Sequence, residues 1–186
     1  MLMAQVHLVL PVWIADAVDD RALYPDDDSK VALAIALSRH NIRHRSGGPF
    51  GAAIFDAAGR LISVGVNRVL PQSCSLAHAE NMAFMLAQSR LQRARLNETG
   101  EPFTLATSAQ PCCQCYGASV WAGIDAMLIG ARSEDVESLT EFDEGPLPAD
   151  WIGELERRGI AVRRDIRREE SRKVLAEYGR SGGAFY

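Results

Sequence analysis

The sequence lacks the features that would place it in a membrane or on nucleic acid. Among its 186 residues, no apolar run reaches the ~20 residues that a membrane-spanning helix needs. Its net charge at pH 7 is −4. The arginines of residues 157–168 are interleaved with acidic residues of the longer segment 154–170, which is typical of a solvated helix face. The apolar start, residues 1–18, has no Lys or Arg ahead of it and is interrupted by Pro11, which disfavours a secretory signal. We therefore expect neither a membrane nor a nucleic acid as partner.

Repeats, low-complexity tracts and interdomain linkers are also missing, and cysteine is scarce. A chain of 186 residues with 47% hydrophobic and 24% charged residues predicts one soluble globular domain over 1–186. Residues 1–27 form an N-terminal extension that packs on the domain or a partner, and residues 179–186 form a glycine-containing tail. Of the four cysteines, two belong to the metal pattern below, which favours a reducing compartment and a cytoplasmic location.

The sequence does contain a short pattern of metal ligands. His78 and Glu80 form an H-x-E pair, and Pro111 opens a P-C-x-x-C segment with Cys112 and Cys115. Three protein ligands with an open fourth position are typical of a catalytic zinc site. Such a metal lowers the pKa of water to ~7, and a nearby carboxylate such as Glu80 can then carry protons. The combination matches the signature of the zinc-dependent deaminases.

The spacing of the pattern suits this chemistry. Cys112 and Cys115 would share one face of a helical first turn, and Pro111 is suited to open that helix. A helix N-terminus also favours the thiolate that zinc needs. His78 opens a second helix, whose apolar residues recur at helical spacing: Ala79, Met82, Ala83 and Leu86.

Two other interpretations of the cysteines were considered. A C-x-x-C pair can be a redox dithiol or half of a structural zinc site. A structural site needs a further pair of ligands, which the remaining candidates do not supply: Cys74, His7, His40 and His44. A frame shifted to Cys113 suits one helical face poorly, so Cys113 and Cys74 are predicted to be ordinary thiols.

The order of elements predicts an α/β fold. We expect helices at about 29–44 (capped by Asp28 or Ser29), 78–96, 112–122, 149–158 and 167–178, strands at about 50–55, 61–67, 103–107, 126–130 and 160–164, a loop at 71–75, and a long crossover at 131–159. Helices would cover both faces of the sheet, and the long crossover suits a parallel pair. The prediction is a three-layer α/β/α sandwich with a five-stranded mixed sheet whose last two strands are parallel.

From about residue 30 to its C-terminus, the chain resembles the cytidine-deaminase-like superfamily and, within it, the bacterial guanine deaminases. The resemblance is carried by residues 47–52 (GGPFGA), 66–67 (VN), 78–80 (HAE), 111–115 (PCCQC) and 142–144 (FDE). It implies the cytidine-deaminase-like fold, a zinc cofactor and the hydrolysis of guanine to xanthine and ammonia. It also implies a small purine base as partner and a homodimer, with exchange of the C-terminal tail left open.

The resemblance also implies roles for individual residues. The metal ligands are His78, Cys112 and Cys115, and the catalytic carboxylates are Glu80 and Glu144, with Asp143 as the alternative to Glu144. The residues implied to contact the substrate are Phe50, Asn67, Ala79, Asp143 and, as a cap, Tyr186. The chain departs from the family's frequent pattern at Gln110, where Glu is common, and at Glu144, where Asp is common.

Other functions remain open from the sequence. The same chemistry could act on another small base, a nucleoside or an aminated heterocycle, such as cytosine, cytidine or a triazine. A deaminase of adenosine in tRNA is disfavoured by the acidic chain. A non-catalytic zinc interaction module is disfavoured by Glu80, because a structural site does not need that carboxylate.

Overall fold

The computed structural model describes residue 2 and residues 4–185, and a mixed sheet lies at its centre. The strands are β1 (Gly51–Asp56), β2 (Leu61–Val66), β3 (Phe103–Ala109), β4 (Ala126–Ala131) and β5 (Ala161–Arg163). They form a five-stranded sheet in the order β2-β1-β3-β4-β5. β1 is antiparallel to β2 and β3, whereas β3, β4 and β5 are parallel to one another. The predicted mixed sheet with a parallel last pair is confirmed.

Helices cover both faces of this sheet. They are α1 (Ile14–Ala17), α2 (Asp27–Arg43), α3 (Val69–Gln72), α4 (Ala79–Leu91), α5 (Cys113–Ala122), α6 (Ser133–Leu139), α7 (Trp151–Glu156) and α8 (Arg168–Arg180). Within the described residues, no helix is both long and apolar enough to cross a membrane. The predicted three-layer α/β/α architecture is confirmed.

The side chains of β1 and β3 point alternately to the two faces of the sheet, so both strands contribute to two hydrophobic clusters. Ile54 and Leu105 pack in the cluster that includes α4, α5 and α7. Their neighbours Phe55 and Ala106 point the other way, into the cluster formed with α2 and α8. Successive strand residues face opposite sides, so a fully buried strand feeds two cores at once.

The N-terminal extension packs on the domain. This is one of the two predicted arrangements, the other being packing on a partner. Trp13 is buried in the cluster that holds Val31 and Ile35 of α2. Leu23 forms an isolated bridge with Arg60, next to β2. The extension therefore contributes to the core of the α2 face.

Two predicted helix limits were wrong. Helix α2 is capped by Asp26, whose carboxylate accepts from Ser29 N at 2.7 Å, and not by Asp28 or Ser29. Helix α4 ends at Leu91 and not near residue 96, because Gln92 turns the chain into the left-handed region. Leu96 then donates its N–H to Ala122 O at 2.8 Å, which ties this segment to the end of α5.

Two helices add to those whose bounds were predicted, and one of them lies in the crossover that was expected to hold at least one helix. Helix α3 occupies part of the expected loop at 71–75, and Pro71 sits within it. Proline is tolerated in a first turn because its missing N–H has no partner there anyway. Helix α6 lies in the crossover at 131–159, ahead of the predicted helix, which is α7.

Candidate active site

The segments that carry the predicted metal ligands meet at one end of the sheet, where β2 and β3 finish. β1 runs antiparallel to β2 and β3, so its start lies beside their ends: Gly51 pairs with Val66, and Ala52 with Thr107. Clefts of α/β proteins form at such carboxyl ends of strands. The N-termini of α4 and α5 reach the same end of the sheet. β2 and α4 can approach because of Gly65, where a Cβ would lie 1.9 Å from Ala79 O.

Two helix N-termini bring the three predicted metal ligands together. His78 and Cys112 are the extended N-cap residues of α4 and α5, and Cys115 lies in the first turn of α5. One ligand atom from each residue lies within 4.8 Å of the others. The Sγ of Cys112 is 3.4 Å from His78 Nδ1. One imidazole and two thiols at this spacing fit a tetrahedral zinc site with an open position.

The electrostatics of this cluster favour one thiolate. A hydrogen bond with Cys115, then one with His78, lowers the pKa of Cys112 to about 4. The same contact with Cys112, together with burial, raises the pKa of Cys115. Burial works to lower the pKa of His78, but the contact with Cys112 leaves it raised. A divalent cation between the three groups would favour the thiolates and neutral imidazole that metal binding requires.

Glu80 lies beside these ligands and lines the same cleft. It is only 6% exposed, and its carboxyl oxygens are 3.4 Å from Thr107 Oγ1 and 3.4 Å from Cys115 Sγ. Burial, followed by the nearby Cys112 charge, raises the pKa of Glu80. A buried carboxyl that holds a proton more readily than usual is suited to general acid–base work.

A cleft of about 410 Å³, partly open to solvent, lies in front of the ligands. Its walls are formed by Phe50, Asn67, His78, Ala79, Glu80, Gln110, Cys112, Phe142, Asp143 and Glu144. This figure includes the solvent at the open side of the cleft. Every sequence-predicted site residue within the described chain except Cys115 lines this cleft, and Cys115 is buried in the ligand cluster. Tyr186 lies outside the described residues.

The two neighbouring carboxylates of the 142–144 segment differ in their surroundings. Asp143 is exposed and accepts from Gly145 N at 2.8 Å, as in a tight turn. Glu144 is 6% exposed, and its carbonyl accepts from Cys113 N at 2.9 Å, at the start of α5. Burial, then the negative charges of Cys112 and Glu80, raises the pKa of Glu144 to about 9.

Asn67 and Phe50 face the cleft from adjacent chain segments. Asn67 N donates to Phe50 O at 3.1 Å. The Oδ1 of Asn67 is 3.4 Å from the backbone nitrogens of both Gly48 and Val69. The ring of Phe50 meets the edge of Phe142, with centroids 5.1 Å apart. Both side chains are therefore held by neighbours at the cleft wall.

Other residues of the cleft region were not predicted. Thr107 bridges Glu80 and Ala109 O, and Phe142 and Gln110 line the cleft. Phe185 packs against Phe142 with centroids 4.9 Å apart, so the tail lies behind the cleft wall. The parity of β3 could have indicated Thr107, since Leu105 and Thr107 share a face.

Comparison with known proteins gives consistent results. The family model for the cytidine and deoxycytidylate deaminase zinc-binding region matches residues 25–131. The solved guanine deaminase from Nitrosomonas europaea is 38% identical, with a TM-score of 0.91 over 97% of this chain and 99% of that chain. A solved structure in complex with 2,6-diaminopurine is 40% identical, with a TM-score of 0.90 over 97% of this chain and 95% of that chain. The tRNA-specific adenosine deaminase of Buchnera aphidicola subsp. Schizaphis graminum is 30% identical over 119 residues, or 64% of this chain and 72% of that protein.

Proposed function

Since the chain belongs to the cytidine and deoxycytidylate deaminase zinc-binding family, we propose that this deaminase acts on guanine, which it hydrolyses to xanthine and ammonia. The observation that carries the choice of substrate is Glu144, a second buried carboxyl that faces the same cleft as Glu80. The likeness to a guanine deaminase over 97% of the chain supports the same choice.

We propose that His78, Cys112 and Cys115 hold the zinc. When bound, zinc supplies the Lewis acidity that makes water a nucleophile at neutral pH. Glu80 accepts the proton of the attacking water and delivers it to the ring nitrogen beside the carbon that bears the amine. The same carboxyl then takes the remaining proton from the hydroxyl on the tetrahedral carbon and passes it to the amine, which leaves as ammonia while the carbonyl of xanthine forms. Thr107, 3.4 Å from Glu80, orients one carboxyl oxygen during these transfers.

The polar groups of the cleft match the edge of guanine. Guanine presents a ring N–H and an amino group on one side, and the Glu144 carboxyl accepts hydrogen bonds from them. The pKa of Glu144 is raised to about 9 in the free protein, so this carboxyl is protonated near neutral pH until the base binds. The two donors of guanine favour its carboxylate form, and the proton that it then releases is available to the leaving ammonia. Cytosine presents an unprotonated ring nitrogen there and would leave buried groups unpaired. Asn67 offers its amide N–H to the base, and Phe50 offers a stacking surface.

The proposal includes the cellular setting and the chain as a whole. We propose a reducing, cytoplasmic location, since Cys112 and Cys115 belong to the metal-ligand cluster. We propose one deaminase domain over residues 1–186 that assembles as a homodimer. The N-terminal extension packs through Trp13 on the α2 face, and the tail packs through Phe185 against Phe142 of the cleft wall.

An ammonia-release screen tests this function. The zinc-loaded protein is offered guanine, guanosine, adenine, cytosine and cytidine, and the product is identified by chromatography. We expect guanine to be the best substrate, xanthine to be the product, and guanosine to be poor because ribose enlarges the ligand. The Glu80→Gln variant is the blank for contaminating enzymes. A preference for cytidine or cytosine would reject the guanine assignment and leave the family assignment intact.

A further inference from the structure

A chain of hydrogen bonds runs from the N-terminal extension to the wall of the cleft. Trp13 Nε1 donates to Ser46 Oγ at 2.9 Å, and Ser46 Oγ donates to Asn41 Oδ1 at 2.7 Å. Asn41 Nδ2 in turn donates to Gly48 O at 2.8 Å and to Asn67 O at 2.9 Å. Asn41 lies on α2 and is completely buried. The chain therefore links the extension, α2 and two cleft-lining segments.

The two end groups of this hydrogen-bond series determine which group donates and which accepts at every step. An indole nitrogen only donates, and a backbone carbonyl only accepts. The Ser46 hydroxyl therefore accepts from Trp13 and gives its single hydrogen to the Asn41 oxygen. The Asn41 amide must then turn its two hydrogens toward the two carbonyls. A carboxylate of the same shape at residue 41 could not make these bonds.

The two carbonyls belong to the segments that present Phe50 and Asn67. Gly47 approaches the Asn67 carbonyl so closely that a Cβ there would lie 1.8 Å from it and 2.8 Å from Asn41 Nδ2. Gly48 N lies 3.4 Å from Asn67 Oδ1. The 47–50 segment and the end of β2 are thus fixed to each other through Asn41, so a shift of one carries the other.

Trp13, the first donor of this series of hydrogen bonds, is itself held in place by aromatic packing. The Trp13 ring stacks on His40 and His44, with centroids 5.5 Å and 5.4 Å away. Both histidines lie at the C-terminal end of α2, one turn apart. This packing fixes the indole N–H in the orientation that reaches Ser46.

We propose that Asn41 is a positioning residue for substrate binding and that the N-terminal extension, through Trp13 and Ser46, sets its orientation. The inference rests on the proposed function, in that Asn67 and Phe50 are taken to contact the base. It assigns the extension a part in substrate affinity. Glu80 and the metal ligands lie outside this hydrogen-bond chain, so their chemistry should be little affected.

The most direct test replaces Asn41 with its isostere. Asn41→Asp keeps the shape but turns acceptors toward two buried carbonyls, and we expect KM to rise about 10- to 100-fold, with a smaller change in kcat. Trp13→Phe removes the bond to Ser46, and Ser46→Ala removes both that bond and the bond to Asn41. Each variant should raise KM by about 3- to 10-fold. Ser46→Thr keeps the hydroxyl and should restore KM. Zinc content should stay at the wild-type level in all of these variants.

A stability control separates positioning from general loosening. Leu155→Ala removes a buried side chain on α7, in the core of the other face of the sheet, and should lower the melting temperature without raising KM. All variants are assayed on the base that the wild type deaminates best. Unchanged KM in Trp13→Phe and Ser46→Ala would overturn the inference, even if Asn41→Asp fails to fold. A wild type that prefers another base rejects the guanine assignment alone, and one that is inactive on every base rejects both.

Discussion

Glu80 and Glu144 are two buried carboxyls in one cleft, and their neighbours differ. Glu80 contacts Cys115 of the ligand cluster and the hydroxyl of Thr107. Glu144 lies across the cleft on the loop that follows α6, and its backbone is fixed to the first residue of α5. Two carboxyls in different surroundings can take different parts in one reaction. We assign proton transfer at the ring to Glu80 and recognition of the base edge to Glu144.

Substitution at Glu80 should separate catalysis from metal binding. Glu80→Gln leaves the three ligands untouched, so zinc content and fold should be retained while kcat falls by about 10²- to 10⁴-fold. Cys112→Ala removes a ligand and should lose zinc as well as activity. Metal analysis and ammonia release on the same samples check both. Near-wild-type turnover in Glu80→Gln would show that another group carries the protons.

Glu144 and its neighbour Asp143 form a matched pair for testing recognition. Glu144→Gln replaces one acceptor oxygen with a donor that faces the donors of guanine, so kcat/KM should fall by about 10- to 100-fold. Asp143→Asn should change it little, because Asp143 is exposed and only closes a turn onto Gly145. Steady-state kinetics with guanine compare the two. The reverse ranking would make Asp143 the functional carboxylate.

At the scale of elements, α8 is fixed to α6 by a buried carboxylate. Asp135, on α6, is 2% exposed and accepts from Arg168 at 2.6 Å and 2.9 Å, and it also pairs with Arg172. Burial works to raise the pKa of Asp135, but the bonds from Arg168, the Arg132 backbone and Arg172 lower it to about 2. The loop that carries Glu144 follows α6, so this contact supports one side of the cleft.

The low pKa of Asp135 predicts a window of acid sensitivity. Its folded-state pKa lies below the ordinary 3.8, so the stabilisation is present above that value and is lost as the pH falls toward about 2. Asp135→Asn should cost about 1–3 kcal/mol of unfolding free energy at pH 7. It should also flatten the decline in stability between those pH values. Denaturant unfolding over a pH series measures this. The more exposed ion pairs of Glu154 serve as the control, and Glu154→Gln should change the stability much less than Asp135→Asn.

Local chemistry made much of the fold and the ligand set predictable. The spacing of His78, Cys112 and Cys115 indicated two helix N-termini that meet at one metal. This was predictable because each helix start is set by a few neighbouring residues, at 78–80 and at 111–115. The end of α4 was missed because Gln92, and not a glycine, takes the left-handed turn. The parity of β3 indicates the face on which Thr107 lies but not its contact with Glu80. Asp135 was missed because its contacts join segments far apart in sequence, and no local pattern reports such pairing.

At the scale of the molecule, the C-terminal tail is anchored within the chain. Tyr178 donates its hydroxyl to Ala184 O at 2.5 Å, and Phe185 packs on both Phe142 and Tyr178. The Cα of Gly183 lies so close to the Tyr178 ring that a Cβ would meet it at 2.3 Å. The tail thus supports Phe142 from behind, and Phe142 forms part of the cleft wall.

Deletion of residues 184–186 should therefore lower activity more than stability. It removes the ring behind Phe142 and the predicted cap at Tyr186, so we expect KM for guanine to rise. The melting temperature should fall by only a few degrees, since about 1–2 kcal/mol of apolar packing is lost. Phe185→Ala should reproduce part of the effect. Steady-state kinetics with guanine and thermal melts of the same variants measure the two effects. Unchanged kinetics would show that the tail has no part in substrate binding.

An exposed apolar patch on α4 and α5 supports the proposed homodimer. Trp121 is 78% exposed and lies near Leu76 and Met85, which are also exposed. Patches of this kind mark interaction surfaces. Trp121→Arg should shift the protein toward the monomer in sedimentation experiments. Val12→Arg alters a similarly exposed apolar residue elsewhere and should not. A monomeric wild type would contradict the dimer.

The convergence of the α4 and α5 N-termini also bears on how the chain resists unfolding. His78 and Cys112 are 34 residues apart, and a shared ion would join them as a reversible cross-link. Closing a loop of that length restricts the unfolded chain by about 3–4 kcal/mol in conformational entropy. The enclosed loop contains all of α4 and β3, the pieces that hold Glu80 and Thr107. The ion that activates water would then also keep Glu80 and Thr107 from separating when the protein is heated.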